Sequence, residues 1–313
     1  VDSHAMGYFY LSAAHKSSGK TTVSIGLCAA LAGRKGLRVQ PFKKGPDYID
    51  PLWLGAAAGN PCYNLDVFME TPEANTRLFQ SHMQDADIGL IEGNKGLFDG
   101  ISTDGSDSNA AMANLLGAPV VLVIDTRGIT RGIAPLLHGY ATFDAEVEIA
   151  GVILNQVGGS RHESKLRNAV ETYTDIPVLG AVGKSSDLVI DERHLGLMPS
   201  NEHDEAQQVI ARIANAVAEG VDLDRLIAIA GTAPEITPVT VTADLPVADV
   251  KIGVAKDAAF GFYYAGDLQA LRNAGAEIVW FDAINDATLP DVDGLFIGGG
   301  FPAACFGGTN EVM

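Results

Sequence analysis

The stretch that most constrains this chain is 7–22, GYFYLSAAHKSSGKTT. An apolar, aromatic run from Tyr8 to Ala14 enters a short polar loop that ends in Gly19-Lys20-Thr21-Thr22. A helical pattern follows at once, with Val23, Ile25, Leu27, Ala30 and Leu31. Strand, loop and helix with G-K-T at the turn is the setting of a phosphate-binding loop. The first amides of a helix lack intrahelical acceptors and point outward, so they favour an anion. Ser17, Ser18, Gly19, Lys20, Thr21 and Thr22 are the expected nucleotide-binding residues. Lys20 would reach the terminal phosphates and Thr21 would offer its hydroxyl to Mg²⁺. The match is incomplete: Ala14 stands where the usual pattern has its first glycine, and Ser17 and Ser18 stand where glycines are common.

Past this loop the chain alternates between short apolar runs and helical periods. Leu37 to Phe42 reads as a strand. Residues 43–51, KKGPDYIDP, hold two prolines and a glycine, so they read as a loop rather than an element. Thr71 to Gln84 reads as helix, and Ile88 to Gly93 as a strand ending on Glu92. A carboxylate at the tip of a buried strand, opposite a phosphate loop, is a natural Mg²⁺ or water-orienting group. Residues 94–105 are glycine-rich, read as mobile, and carry Asp99. Helix is expected over about 108–116, strand over 119–125, helix over 129–143, strand over 149–154 and helix over 162–173. Strand over 176–182 and helices over about 202–219 and 223–230 complete the series. Strands alternating with helices predict a parallel sheet covered by helices, with its site at the carboxyl edge of the strands.

Residues 232–250 change character, with three prolines and no helical period, and read as a linker. A new α/β rhythm begins at 251: strand to 256, helix over 263–274, and strands over 277–281 and 293–297 that run into Gly298-Gly299-Gly300-Phe301-Pro302. The expected organisation is therefore 7–231, a linker at 232–250, and an incomplete second unit at 251–313. VDSHA before Met6 reads as an expression-tag remnant.

The net charge of −18, from 39 acidic and 21 basic residues, disfavours nucleic acid and anionic membrane surfaces as partners. Cys28, Cys62 and Cys305 lie far apart, with no metal-ligand spacing, which fits a cytoplasmic protein. Cys305 reads as a small buried residue. No apolar run reaches the length of a membrane span.

Taken together, KKGPDYIDP, IEGNKGLFDG, GVILNQV, ERHLGL and GLFIGGGFP, in that order, resemble the cobyrinic acid a,c-diamide synthase family. The resemblance runs from about residue 7 to 302. It implies a P-loop NTPase-type α/β domain, related to dethiobiotin synthetase, followed by the start of a class I glutamine amidotransferase domain. It implies ATP-dependent amidation of the a and c acetates of a modified tetrapyrrole through an acyl phosphate. Glutamine or ammonia would be the nitrogen donor, and ATP and Mg²⁺ would be required. HKSSGKTT and KKGPDYIDP look most like the branch that acts on sirohydrochlorin.

By the same resemblance, Lys20, Asp47, Tyr48, Asp50, Glu92 and Asp99 are the catalytic set. Thr21, Asp47 and Glu92 are the metal ligands, and Asn155 is an adenine-reading position. A homodimer is implied on family grounds alone. The family's glutaminase cysteine lies in a region past Met313, and Ala303 stands where the family has an acid. A polyanionic substrate on an acidic protein needs local cations, and the candidates are Lys43, Lys44, Arg127, Arg131, Arg161 and Arg193. His162 and His194 read as structural. Dethiobiotin synthetase itself is a rival that the second unit argues against. A partition-type nucleotide-switch ATPase is another, but it carries an extra lysine five residues before the loop lysine, where this chain has His15.

Overall fold

Every residue of the first strand is buried, and that decides the architecture. Side chains alternate along a strand, so burial of all seven positions of β1 (Gly7–Ala13) requires cover on both faces. Phe9 and Leu11 enter one apolar core, and Tyr8 and Tyr10 enter another. The computed structural model describes residues 7–190, 192–193, 196–197, 205–239 and 249–305.

After β1 come α1 (Lys20–Lys35), β2 (Val39–Lys44), α2 (Ile49–Ala58), β3 (Tyr63–Leu65), α3 (Pro72–Met83) and β4 (Ile88–Glu92). The chain continues through α4 (Asn109–Leu116), β5 (Val120–Asp125), α5 (Ile133–Phe143), β6 (Ile149–Val157), α6 (Ser160–Tyr173) and β7 (Val178–Gly183). A two-stranded ladder, β8 (Glu192–Arg193) and β9 (Gly196–Leu197), precedes α7 (Ala206–Gly220) and α8 (Leu223–Ala230).

The seven strands β1 to β7 form one parallel sheet in the order β3-β2-β4-β1-β5-β6-β7. Helices α1, α2, α7 and α8 cover the Phe9 face through Ile25, Trp53, Ile213 and Leu226. Helices α3 to α6 cover the other face through Phe79, Met112, Leu137 and Leu166. The expected parallel sheet flanked by helices is what forms.

A second unit follows. Strand β10 (Val250–Ala255) lies between β12 (Ala276–Phe281) and β13 (Gly294–Phe296) in a parallel three-stranded sheet. Helix α9 (Ala265–Asn273) sits between β11 (Phe260–Phe262) and β12, and β11 pairs antiparallel with β14 (Gly299–Gly300). A single turn, α10 (Pro302–Cys305), ends the described chain. Cys305 is half-buried there rather than buried.

Several expected boundaries move, each for a physical reason. Lys43 and Lys44 belong to β2 and are buried, because β2 pairs with β4 as far as Lys43↔Glu92. The expected loop at 43–51 is therefore mostly strand end and helix start. Pro51 lies in the first turn of α2, where its missing N–H costs nothing. Helix α5 starts at Ile133, four residues later than its apolar pattern suggests. Strand β6 runs on to Val157, so Asn155 lies within it.

The glycine-rich stretch after β4 is held rather than loose. Asn109 donates to Asn94 O and Gly96 O, and Asp107 accepts from Ile101 N and Ser102 N. The opening part of the expected linker packs on the first unit: Ile236 is buried, and Val239 O accepts from Gln84. The start of the helix expected from Glu202 lies outside the described residues, as does 240–248.

Two glycine-to-alanine changes should have opposite signs. A Cβ on Gly180 would lie 2.3 Å from Gly220 O, so Gly180→Ala should cost about 1–3 kcal/mol. Gly33, inside α1 with nothing within 4 Å, should gain roughly 0.4–1 kcal/mol as alanine. Denaturant midpoints of the two variants check both.

Candidate active site

The phosphate loop leaves β1 at Ala13 and returns to helix at Lys20. Ser17 and Gly19 both take the left-handed conformation, with φ of 65° and 78°. A side chain in that region is strained, and a strained serine here marks a loop shaped for a purpose. Ser18 Oγ donates to His15 O at 2.7 Å, and Asn155 Nδ2 reaches over from β6 to donate to Ser18 O at 2.8 Å. A Cβ on Gly19 would lie 2.1 Å from that same Nδ2. No side chain caps α1, and its first turn opens with Val23 N donating to Gly19 O. The earlier amides of the turn are thus available to an anion.

Beneath the loop lies a buried charge cluster. Glu92, at the end of β4, has no exposed surface. Its Oε1 accepts from Lys43 Nζ at 2.6 Å, from Thr21 Oγ1 at 3.0 Å and from Lys20 Nζ at 3.1 Å. Asp50 Oδ2 accepts from Lys43 at 2.6 Å and lies 3.3 Å from Thr21 Oγ1, whose single proton can go to either carboxylate. Register explains the convergence: Glu92 stands beside Leu11 of β1 on one side and Lys43 of β2 on the other. Lys20 and Thr21 open the helix that follows β1.

The electrostatics follow from burial and pairing. Burial alone would raise the Glu92 carboxyl, but Lys20 and Lys43 hold it well below the usual carboxylate range. Burial pushes Asp50 up to about 6 against the pull of Lys43. Burial also lowers Lys20, whereas Asp50 and Glu92 overcome burial at Lys43 and raise it.

Other expected residues are placed differently. Asp47 spends Oδ1 on the amides of Ile49 and Asp50 at the start of α2, leaving Oδ2 3.9 Å from Lys43. Of the two loop aspartates, Asp50 is therefore the one that joins Thr21 and Glu92. Asp99 is exposed and accepts from Gly96 N at 3.1 Å; among the described residues no hydrogen bond or ion pair joins it to the cluster. The Tyr48 ring stacks on Tyr264 and Phe262 of the second unit instead of entering the cluster. Asn155 is 4 % exposed, with its amide committed to the loop, so in this geometry it braces Ser18 rather than facing a base.

The expected docking cations divide. Lys43 is spent within the cluster, and Lys44 donates to Asp107 O at 2.5 Å. Both are lost to an external ligand because β2 extends past Phe42 and buries them. Arg127 pairs with Asp125 but keeps 58 % of its side chain exposed. Arg131 donates to Tyr173 Oη and lies 5.0 Å above its ring. Arg161 is exposed in the first turn of α6 and makes no ion pair among the described residues. The Arg193 and His194 side chains lie outside the described residues. His162 is structural: Nδ1 accepts from Gly158 N, and Nε2 meets Ile129 O at 2.6 Å.

Two supports escaped the sequence reading. Asn64 of β3 donates to Gly45 O and Asp47 O, both at 2.9 Å, and so shapes the acidic turn. Asn109 accepts from Tyr10 Oη and pins the segment after Glu92. A three-residue strand and a single asparagine carry no periodic signal that could have shown them.

Residues 13–197 match the CobQ/CobB/MinD/ParA nucleotide binding domain family. The chain belongs to this family. Residues 251–305 match the CobB/CobQ-like glutamine amidotransferase domain. Among curated relatives, a "Cobyrinate a,c-diamide synthase" of Magnetococcus marinus is 48 % identical over 301 residues, covering 94 % of this chain and 64 % of that protein. The protein of the same name from Dehalococcoides mccartyi is 44 % identical over 292 residues, covering 91 % and 63 %. The chain thus spans somewhat under two thirds of the length of these relatives. Among solved structures, the septum site-determining protein MinD with Mg-ADP from Pyrococcus horikoshii aligns at a TM-score of 0.45 and 18 % identity, over 74 % of this chain and 100 % of that one.

A nucleotide-binding domain of this family raises the question of a metal. Thr21, Asp50 and Glu92 offer hard oxygen donors, and Glu92 Oε2 is a buried acceptor with no hydrogen-bond partner among the described residues. That donor set fits Mg²⁺, which takes one or two carboxylates and completes its shell with phosphate and water. Among the described residues no three His, Cys, Asp or Glu side chains form a ready-made cage, as a phosphate-dependent Mg²⁺ site does not require one. Among the same residues no helix is long and apolar enough to cross a membrane.

Asp50 makes this testable. Its folded pKa lies above the unfolded value near 4, so the folded state binds its proton more tightly and loses that advantage as pH rises from about 4 to about 6. Carboxyl-resolved NMR should find Asp50 titrating near 6 in the free protein. Mg²⁺ with nucleotide should move the midpoint down, because a cation favours the ionised form. A midpoint indifferent to Mg²⁺ and nucleotide would remove Asp50 from the metal site.

Proposed function

We propose that the chain carries the ATP-dependent synthetase part of a tetrapyrrole a,c-diamide synthase at 7–231, followed by the start of its glutamine amidotransferase part at 251–313. The observation that carries this reading is the buried Lys20–Lys43–Glu92–Asp50–Thr21 cluster directly under an uncapped phosphate loop. The amidotransferase match at 251–305 favours an amide-forming enzyme over a partition-type switch ATPase of the same nucleotide-binding family. The name of the relatives makes cobyrinate the first substrate to test. Sirohydrochlorin is the second, since the HKSSGKTT and KKGPDYIDP motifs look most like its branch.

A carboxylate is a poor acyl donor, because its leaving group would be oxide. In the proposed reaction a carboxylate oxygen attacks the γ-phosphorus of ATP, ADP leaves, and an acyl phosphate forms. Ammonia then attacks the acyl carbon, phosphate departs with the C–O bond pair, and the nitrogen sheds a proton to leave the amide. The protein's part is to position two anions and screen their repulsion. Amides of 17–22 would hold the phosphates, and Lys20 would move from Glu92 to meet them. Thr21, Asp50 and Glu92 would hold Mg²⁺, which supplies charge neutralisation at the phosphates. Lys43 keeps Glu92 and Asp50 ionised and aligned. Asp47 orders the turn on which Asp50 sits. Arg127, Arg131 and Arg161 remain the candidate contacts for the substrate's carboxylates.

The deciding experiment follows phosphate release from Mg-ATP with ammonium chloride, with and without each tetrapyrrole, while mass spectrometry watches carboxyl OH give way to NH₂. Turnover that depends on a tetrapyrrole and yields amides supports the reading. Turnover indifferent to both tetrapyrroles but raised by DNA or lipid overturns it. Lys20→Ala should lower the tetrapyrrole-dependent rate by roughly 10²–10³-fold, the usual scale for removing a positioned transition-state donor. Arg161→Ala should instead raise the KM for the tetrapyrrole with little change in kcat.

A further inference from the structure

Tyr48 stands between the two acidic residues of the metal-binding turn, yet its ring belongs to another contact. It is the residue before α2 and makes no side-chain cap bond; Asp47 beside it accepts the amides of 49 and 50, and Asp50 follows two residues on. Its ring lies 4.2 Å from that of Tyr264, nearly parallel at 14°, and 5.8 Å from that of Phe262 at 8°. Both partners belong to the second unit: Phe262 ends β11, and Tyr264 is the residue before α9. Phe262 meets Phe301 edge-on at 5.5 Å, and it also packs on the apolar core that holds α1 and α2. Phe301 follows directly on Gly299–Gly300, the strand paired with β11. Gly300 is so close to β11 that a Cβ there would lie 1.8 Å from Ala259 O.

We propose that Tyr48 is a positioning residue that clasps the acidic turn of the synthetase unit to the paired strands β11 and β14 of the second unit, so that nucleotide binding in one is felt in the other. The proposal rests on the nucleotide reading above. The physical argument is continuity. Asp50 cannot shift toward a metal without moving Tyr48, because the first turn of α2 is rigid once Asp47 caps its amides. A stacked ring carries that movement to Phe262. The packed, glycine-tight β11–β14 pair then has little freedom to absorb it. Tyr48 is 37 % exposed, so the clasp is a contact at the seam rather than part of either core. This also accounts for an aromatic residue in the acidic turn that makes no hydrogen bond to Lys43, Asp50 or Glu92 among the described residues.

Hydrogen exchange with and without Mg-ATP tests it on the whole chain. Amides of 17–22 should be protected, and amides of 259–265 should slow by about tenfold, within the usual range of site-to-site coupling. Tyr48→Phe keeps the ring and should keep both effects. Tyr48→Ala, and Tyr264→Leu from the opposite side of the seam, should keep protection at 17–22 while the response at 259–265 falls below about twofold. A wild-type protein protected at 17–22 but silent at 259–265 would overturn the clasp. So would a response that survives both Tyr48→Ala and Tyr264→Leu. A wild-type protein silent at 17–22 would remove the nucleotide reading and the clasp with it, and the silent segment tells the two failures apart.

Discussion

The structure of the site depends on one fully buried carboxylate, Glu92. A charge with no exposed surface costs several kcal/mol in desolvation unless it is paired and hydrogen-bonded. Lys43, Thr21 and Lys20 supply three donors to a single oxygen. Each donor imposes a condition on the fold. Lys43 must stand beside Glu92, so β2 runs deeper than its apolar stretch and carries two lysines into the interior. Lys20 and Thr21 must open α1 directly at the end of β1, so the loop between them has to turn sharply through left-handed Ser17 and Gly19. Asp50 then balances Lys43, which places the start of α2 at Ile49.

The pairing stabilises the cluster without saturating it. Two lysines face two carboxylates, yet among the described residues Glu92 Oε2 has no hydrogen-bond partner, and Asp50 is held only weakly acidic. Such a cluster has acceptor capacity left for a hard cation, and in Lys20 a donor whose own pKa burial has lowered. It also reconciles a net charge of −18 with anionic ligands. A phosphate bound at this loop would meet the uncapped start of α1 and its lysine, not the average field of the surface.

The legible parts of the sequence were those with a period or a rigid local code. The alternation of apolar runs and helical stripes marked most strands and helices of the main sheet. The structure adds that Ser108 and Thr71 cap α4 and α3 with their side chains. A strand tip and a G-K-T turn single out Glu92, Lys20 and Thr21, and the fold brings their side chains together. The misses share a cause. Lys43 and Lys44 look like solvated loop residues, since nothing local says that a partner strand will bury them. Asp47 reads as the acid of this turn that serves the metal, and only the cap geometry of α2 shows that Asp47 orders the turn while Asp50 faces Thr21. β3 and β11 are too short to show alternation.

By itself the sequence determined the class of fold, the phosphate loop and the acidic types that surround it, because these depend on spacing along the chain and on local backbone preference. Tertiary structure alone decided which acid reaches Thr21 and which orders the turn, which lysines are buried in ion pairs, and that Tyr48 faces a second unit. Those outcomes depend on strand register and on contacts between residues as far apart as 48 and 264. Such contacts are fixed by desolvation and packing across the fold, and no local pattern encodes them.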